Sequence, residues 1–551
     1  MAGSASSRHA AGFFLGTIRP ALFGFISGIT NRREIDREAI MQFKRSSGIL
    51  MHVSSLPGKF GIGDLGSCAY DWVDFLEATG TALWQVLPLN PTGFGDSPYQ
   101  GLSAFAGNSL FIDLENLREL GLIPAKALSS PPAFSQRKVD FYKASRFKRR
   151  LLELAYANYR KNPDVTLQKE FEQFKLENAH WLEDFATFMA LRERFKLVSW
   201  RDWPDAYRLR EPQALLSFAE EQAAVIEMQA FFQFLFFRQW FALKRYANER
   251  GVQIVGDIPI FMGFDSADVW SMPHLFTLDA DRHPTFVAGV PPDFFSSTGQ
   301  LWGNPLYVWE EHRKEGYSWW INRVAATLKT VDIIRLDHFR GFAGYYKIPA
   351  ANKTAEGGEW VDGPRRDLFD AIQARLGELP FIAEDLGVIT PDVVDLREHY
   401  HLPGMRIFQF AFWEDANHEF LPHTYPVDCV AYTGTHDNDT AQSWFKLAPA
   451  HEQRFCMSYL GYPPIGDIAH AMIRAVWSSV AVFAVAPMQD FLKLGNSARM
   501  NLPASTSGNW QWRMQPDALT PGLIGWIREL NIVYNRANPR QGWKAGQYFR
   551  G

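Results

Sequence analysis

Eight short apolar runs, each followed by polar residues, glycine or proline, constrain the fold of this chain more than any other feature. They cover residues 48–52, 82–89, 252–261, 331–338, 381–386, 404–412, 429–435 and 482–490. Runs of this length are typical of strands that are buried on both faces of a parallel sheet. Because segments of helix length or longer separate them, the sequence predicts an α/β protein built as a (β/α)8 TIM barrel.

The intervals between the predicted strands are uneven. Residues 92–250 and 264–330 are far longer than a barrel crossover requires, and the first of these segments is mainly helical by pattern. Segments that follow barrel strands lie at the face that carries active sites, so both insertions are predicted to form cleft walls and a lid. Residues 293–307 are rich in Phe, Gly, Ser and Pro and are predicted to be a long loop.

The N-terminal segment differs from the rest of the chain. Residues 1–33 contain no Asp or Glu, and Arg19 and Pro20 interrupt their apolar stretch, which is too broken for a transmembrane helix. The acid-free, Ser- and Arg-bearing composition resembles that of a transit peptide, which would place the protein in a plastid. We favour the alternative, in which residues 1–40 are a disordered extension and residues 41–551 form the catalytic barrel of a cytoplasmic protein.

Charge and cysteine content exclude several classes of function. A net charge of −4 over 551 residues predicts neither a nucleic-acid nor a membrane partner. The three cysteines are too few and too scattered for a disulfide framework or a zinc site. Aromatic residues make up 15% of the chain, which slightly favours a carbohydrate ligand because sugar rings stack on aromatic side chains.

Three acidic residues stand where predicted strands end, which is where such a barrel places catalytic carboxylates. Asp337 follows Arg335 by two residues, so both side chains project to the same side and the guanidinium favours the ionised carboxylate that a glycosidase nucleophile requires. Glu384 follows three apolar residues, which favour the protonated form of a general acid. Asp437, beside His436, is suited to binding sugar hydroxyls and helping to distort the ring.

Each acid also has a structural interpretation. The Arg335–Asp337 pair could serve only to hold a strand end, and Glu384 could be part of a polar strand terminus. Asp437 could join Asp439 in a structural or metal cluster, although no further ligands are spaced for zinc. Taken singly, the motifs leave both interpretations open.

Residues after the second and third predicted strands are further candidates. Ser97 and Tyr99 lie in Asp-Ser-Pro-Tyr, where the Tyr ring could stack beneath a sugar, although an ordinary turn would look similar. Asp257 ends the third run and could bind sugar or orient its neighbours.

In this order, these segments closely resemble the 4-α-glucanotransferases known as amylomaltases or disproportionating enzymes, glycoside hydrolase family 77. The resemblance runs from about residue 48 to residue 513. It rests on residues 54–58 (SSLPG), 60–66 (FGIGDLG), 96–100 (DSPYQ), 256–261 (GDIPIF), 291–296 (PPDFFS), 299–307 (GQLWGNPLY), 335–341 (RLDHFRG), 383–387 (AEDLG), 434–439 (GTHDND) and 507–513 (SGNWQWR).

The resemblance implies a role for each matching position. Asp337 would be the nucleophile, Glu384 the acid/base and Asp437 the transition-state stabiliser. Arg335, His436 and Tyr99 would hold the sugar that is cleaved, with Ser97 and Asp257 nearby. The loop around Asp293, Phe294 and Phe295 would cover the cleft, and Gln300, Trp302 and Asn304 would contact the glucan or shape that loop.

The resemblance also implies that no metal or organic cofactor is needed and that no separate C-terminal β-domain follows the barrel. The sequence departs from the family pattern at residues 262–264, and Phe294 stands where the family often has Tyr, which removes a hydroxyl from the covering loop.

The predicted reaction is retaining transfer of an α-1,4-glucan segment to the 4-hydroxyl of another glucan or of glucose, with α-1,4-glucans and maltooligosaccharides as the partners. The residues alone leave open an α-amylase-like hydrolase, which would share the covalent intermediate. A non-catalytic glucan-binding protein is the remaining alternative.

Overall fold

Eight parallel strands form the central sheet of this computed structural model, which describes residues 43–162, 164–292, 296–505 and 507–548. The strands are β1 (Ser46–Leu50), β2 (Leu83–Gln85), β3 (Gln253–Pro259), β4 (Ile333–Asp337), β5 (Phe381–Ala383), β6 (Gly404–Ile407), β7 (Cys429–Tyr432) and β8 (Phe483–Pro487). Each falls within one of the predicted runs except that β1 begins two residues before its run, at Ser46.

The sheet order is β6-β7-β8-β1-β2-β3-β4-β5, with every pair parallel. Between the two ends, the Ala383 N–H donates to the Pro403 carbonyl at 2.9 Å, and the Met405 N–H donates to the Asp385 carboxylate at 2.7 Å. These bonds join β5 to β6, so the predicted (β/α)8 barrel is confirmed.

Twenty α-helices occur in the described residues. They are Ser67–Thr79, Leu114–Glu119, Phe141–Lys161, Val165–Glu177, Ala179–Arg194, Asp205–Arg208, Pro212–Glu221, Ala223–Glu249, Ala267–Ser271, Trp309–Lys314, Ser318–Thr330, Arg340–Ala343, Arg366–Leu376, Pro391–His399, Ala441–Leu447, Ala450–Tyr459, Ile468–Ser478, Met488–Phe491, Pro521–Val533 and Ala545–Tyr548. None of the helices in the described part of the chain is both long and apolar enough to cross a membrane.

The long segment between β2 and β3 is held to the barrel by its last helix, Ala223–Glu249. The Trp240 ring of this helix lies 6.3 Å from the ring of Trp84 on β2. Within the segment, the side-chain amide of Gln233 exchanges two hydrogen bonds with the backbone of Gly107, at 2.7 and 2.9 Å. The Trp240 indole donates to the Thr330 carbonyl at 2.8 Å. On another face of the same helix, Phe231 stacks on Tyr159 with ring centroids 4.5 Å apart. The insertion is therefore packed against the barrel through this helix.

A second, four-stranded antiparallel sheet is built from the segments that follow β3 and β4. Its strands, in spatial order, are Gln300–Pro305, Phe286–Val290, Gly344–Pro349 and Glu359–Asp362. The prediction that residues 293–307 form one long loop is wrong over this first strand. Its first four residues alternate between partly buried and exposed, as in an edge strand, but Gly303 and Pro305 hide the strand in the sequence.

Several predictions concern residues outside the described ranges. They include the N-terminal extension of residues 1–40 and the covering-loop residues Asp293, Phe294 and Phe295.

Candidate active site

The floor of the site is a buried guanidinium held between two carboxylates at the ends of β3 and β4. Asp257 and Arg335 are paired in the register of these strands. Arg335 Nη1 lies 2.8 and 2.7 Å from the two carboxylate oxygens of Asp257 and 2.9 Å from Oδ1 of Asp337. The Asp257 side chain is fully buried, whereas that of Asp337 is 27% exposed. The exposed carboxylate is therefore the one that a ligand can reach.

Glu384 follows β5 directly and faces the same place. Its Oε2 accepts a hydrogen bond from the His338 N–H at 2.7 Å, and its Oε1 accepts one from the Leu386 N–H at 3.3 Å. Burial raises the pKa of Glu384 to about 8, with Arg335 acting to lower it and Asp337 to raise it further. The carboxyl group is therefore protonated at neutral pH.

The backbone conformation of His338 helps to fix Glu384 in this position. His338 has a φ of 51°, a left-handed conformation that is uncommon for a residue with a side chain and is often found at functional sites. Its N–H reaches the carboxylate of Glu384 from this conformation. The neighbouring Asp385 binds elsewhere, to the Met405 N–H at 2.7 Å and to Arg397 Nε at 3.3 Å.

Asp437 lies on the loop after β7 and is held by a segment that follows β8. Asn501 Nδ2 donates to Asp437 Oδ1 at 2.7 Å, and the Asn501 N–H donates to the His436 carbonyl at 3.0 Å. Arg499 donates to the Asp437 carbonyl at 2.6 Å and forms an ion pair with Asp439. Asp439 is thus part of the support for this loop, and no group of acids, His and Cys in the described ranges is arranged to hold a metal.

An aromatic wall stands beside the acids. The Tyr99 hydroxyl donates to Asp257 Oδ2 at 2.8 Å, and its ring stacks on His436 with centroids 5.0 Å apart and planes 12° apart. Trp510 lies 5.9 Å from both rings. Burial lowers the pKa of His436, which Asp437 opposes, so the imidazole is neutral at pH 7. Ser97 supports this wall because its hydroxyl accepts the Tyr99 N–H at 3.2 Å.

The strand Gln300–Pro305 supplies another wall. Trp302 donates its indole N–H to Gln300 Oε1 at 3.2 Å and meets the His338 ring edge-on at 4.8 Å. Asn304 is buried, where it accepts from Gln100 at 3.1 Å and donates to the Met262 carbonyl at 2.9 Å. Because Asn304 binds the backbone carbonyl of residue 262, the departure from the family pattern at residues 262–264 does not affect this contact.

These residues surround a cleft of about 750 Å³. The candidates that line it are Ser97, Tyr99, Gln300, Trp302, Asn304, Arg335, Asp337, Glu384, His436 and Asp437, while Asp257 lies beneath it. Sequence reasoning missed several further lining residues, among them five polar or aromatic ones: His338, Arg340, Trp360, Asn501 and Trp510. Three of them, His338, Arg340 and Trp510, stand within the quoted motifs, but Asn501 and Trp360 lie outside every motif.

The comparisons with known proteins agree with this geometry. The sequence model of glycoside hydrolase family 77, described as 4-alpha-glucanotransferase, matches residues 51–520. The chain belongs to this family. The family and the enzyme class predicted from the sequence are therefore confirmed, with 4-alpha-glucanotransfer as the activity.

Relatives from different organisms match nearly the whole chain. The 4-alpha-glucanotransferase of Streptococcus pneumoniae is 48% identical over 498 residues, covering 90% of this chain and 98% of its own. The chloroplastic/amyloplastic 4-alpha-glucanotransferase of Solanum tuberosum is 43% identical over 496 residues, covering 89% and 86%.

A solved structure of the same family superposes closely. The amylomaltase from Streptococcus agalactiae, determined in complex with acarbose, gives a TM-score of 0.87 at 39% identity and covers 90% of this chain and 100% of that chain.

Proposed function

We propose that Asp337, Glu384 and Asp437 carry out the transfer of α-1,4-glucan segments by retaining double displacement. The observation that carries this assignment is the unequal setting of two carboxyl groups around one guanidinium. Asp337 forms an ion pair with Arg335 at 2.9 Å, whereas Glu384 is bound by backbone N–H groups and has its pKa raised to about 8. A nucleophile must be ionised and a general acid protonated at the same pH, which this arrangement provides.

In the first half-reaction, an oxygen of Asp337 attacks the anomeric carbon of a bound α-1,4-glucan. The bond from that carbon to the 4-oxygen of the next glucose breaks, and Glu384 gives its proton to this oxygen. The product is a covalent glucosyl-enzyme, and we expect the two carboxyl groups to lie about 5–5.5 Å apart, as retention requires.

In the second half-reaction, Glu384 is the base. It takes the proton from the 4-hydroxyl of an acceptor glucan or glucose, whose oxygen attacks the anomeric carbon and releases the Asp337 carboxylate. Every proton in both steps is carried by a named side chain or by the substrate, so no metal or organic cofactor is required.

The remaining candidates hold the sugar on the donor side. Tyr99 offers its ring face, and neutral His436 and the carboxylate of Asp437 offer hydrogen-bonding groups to the hydroxyls of the sugar whose bond is cleaved. Asp257 acts indirectly, since it is buried beneath Arg335 and Tyr99 and binds both. Ser97 and Asn304 position Tyr99 and the wall that carries Gln300 and Trp302.

The two insertions, approximately residues 92–250 and 264–330, are proposed to form the cleft walls and lid, with Asp293, Phe294 and Phe295 as the covering loop. We place residues 41–551 in one catalytic unit and the protein in the cytoplasm. The alternative is a plastid, if residues 1–40 act as a transit peptide. A fluorescent fusion with and without residues 1–40, imaged in plant cells, tests the location because plastid import would depend on that segment.

Incubation with maltotriose tests the function. Wild-type protein should produce glucose and a ladder of longer oligomers while the number of reducing ends stays constant, and Asp337→Asn should produce neither. A steady rise in reducing ends would instead indicate hydrolysis, and a ladder that persists in Asp337→Asn would refute the assignment of the nucleophile. Glucan binding without any turnover in the wild type would indicate a non-catalytic protein.

A further inference from the structure

Trp360 is a large aromatic side chain in the cleft wall to which no role has been given. It lies on the edge strand Glu359–Asp362 of the four-stranded sheet and is 43% exposed. Directly across the strand pair is Tyr346, whose ring meets the indole at 5.2 Å and 63°. Side chains that face each other across antiparallel strands lie on the same face of the sheet, so Tyr346, which is buried, supports the indole from the side.

One face of the indole is covered by a guanidinium. The Arg340 Cζ lies 3.7 Å from the ring centroid, a close cation–π contact. Arg340 is itself only 7% exposed and donates to the carbonyls of Gly344 at 3.3 Å and Val388 at 2.5 Å. The guanidinium is therefore fixed independently of the indole, and the indole is held with its free surface toward the cleft. A flat, fixed aromatic surface in a glucan cleft is suited to the apolar face of a sugar ring.

The position of Trp360 relative to Glu384 shows which part of the glucan it would meet. The general acid protonates the departing oxygen, so it stands on the side of the cleft where the leaving group departs and the acceptor enters. Arg340 connects Trp360 to Val388, which is four residues beyond Glu384 on the same loop. The donor-side groups Tyr99 and His436 stack on each other as a separate wall.

Other residues already occupy the immediate surroundings of the acid. The His338 N–H binds Glu384 at 2.7 Å, and the His338 ring contacts Trp302 at 4.8 Å. The first acceptor sugar would therefore meet His338 and Trp302. Trp360, which reaches the acid loop only through Arg340 and Val388, is left for a sugar farther along the acceptor chain.

We propose that Trp360 is a stacking platform for the second glucose unit of the acceptor glucan, and that it favours oligosaccharide acceptors over glucose and water. This inference rests on the proposed function, because it requires the acceptor side defined by Glu384. A sugar that covers roughly 50 Å² of apolar indole surface would lower the acceptor KM about ten-fold. The platform thus gives a preference for sugar over water as the acceptor, which the three acids do not provide.

The test separates the two halves of the reaction with maltotriosyl fluoride as the donor. Fluoride occupies no acceptor sugar site, so fluoride release in the first turnover, before the covalent maltotriosyl-enzyme needs an acceptor, reports the donor side alone. Trp360→Thr removes the ring while keeping a residue that is common in strands, and Trp360→Phe keeps a smaller ring. We expect first-turnover fluoride release to be unchanged and the KM for glucose to stay the same. The KM for maltose and maltotriose as acceptors should rise about ten-fold in Trp360→Thr and less in Trp360→Phe.

Trp413→Ala is the matched control, because Trp413 is 60% exposed and does not line the cleft. It should leave every acceptor KM unchanged. An equal rise for glucose and maltose in Trp360→Thr, unchanged acceptor dependence, or a fall in fluoride release would each overturn the platform. Failure of the proposed function is a different result, since wild-type protein would then transfer to no acceptor at all.

Discussion

Replacing Asp257 tests whether the buried floor of the site sets the position of the nucleophile. Its side chain is fully buried and binds Arg335 Nη1 at 2.8 and 2.7 Å and the Tyr99 hydroxyl at 2.8 Å. In Asp257→Ala, Arg335 keeps a carboxylate partner in Asp337, at 2.9 Å. The Arg335 guanidinium, which attracted two carboxylates, then attracts only that of Asp337 and draws the nucleophile toward the buried floor of the site.

Two magnitudes are expected for this change. Removing one partner of a buried ion pair costs about 3–5 kcal/mol of stability, and the lower end applies because Asp337 remains. A displacement of the nucleophile on the order of 1 Å reduces kcat on the order of 10²-fold. Asp257→Asn is the matched control, because its amide oxygen can accept from Arg335 while its amide nitrogen donates to the Tyr99 oxygen. We therefore expect it to keep more stability and more activity than the Ala variant.

Fluoride release from maltotriosyl fluoride measures the effect on kcat and KM, and thermal unfolding measures the effect on stability. A positioning role predicts a fall in kcat with little change in KM, because the group never touches the sugar. Wild-type kcat in Asp257→Ala, or a rise in KM alone, would refute this reasoning and indicate direct contact with substrate.

Three further changes test other parts of the structure. Asn501→Ala should lower kcat for maltotriose roughly ten-fold, because Asp437 loses a hydrogen bond worth about 1.5 kcal/mol, and a wild-type kcat would exclude this support. For the wild type, kcat/KM for maltotriose should fall as the pH rises through about 8, because Glu384 then loses its proton. The kcat/KM for maltotriosyl fluoride should not fall, because fluoride leaves without an acid. Identical pH profiles for the two substrates would exclude Glu384 as the acid. Lys148→Met should lower the free energy of unfolding by about 3 kcal/mol, because Lys148 is fully buried and binds Asp64 at 3.0 Å. Calorimetry should show that the double variant Lys148→Met, Asp64→Asn recovers part of this loss.

The barrel could be predicted from the sequence because a strand that is buried on both faces leaves a continuous apolar run. The ends of its strands were harder to predict. The third run, residues 252–261, extends beyond the strand Gln253–Pro259 because the residues after it are buried beneath the insertions. The strand Gln300–Pro305 was missed for the opposite reason, since an edge strand with a Gly and a Pro inside it has few of the local features of a strand.

The acids could be predicted because strand ends in a barrel converge on one face, so three distant carboxylates are brought together by topology. The places of Asn501 and Trp360 in the cleft could not be predicted, since they depend on contacts with residues in other elements of the chain. Asn501 matters because it binds Asp437, 64 residues earlier, and Trp360 because Arg340 lies under its ring. No local pattern in the sequence records either contact.

In the mechanism proposed above, the setting of Glu384 would let one carboxyl group be an acid in the first half-reaction and a base in the second. Burial and the negative charge of Asp337 raise the pKa of Glu384 to about 8, while the positive charge of Arg335 opposes them. When Asp337 forms the covalent bond to the sugar, its charge disappears, but Arg335 remains buried beside the site. The pKa of Glu384 must then fall, so Glu384 stays deprotonated in the covalent intermediate and can act as the base. When the acceptor reacts and frees the Asp337 carboxylate, the pKa of Glu384 rises again and the group keeps the proton that it has taken. In the proposed mechanism, the loss and return of the Asp337 charge beside Arg335 thus sets the order of the two proton transfers.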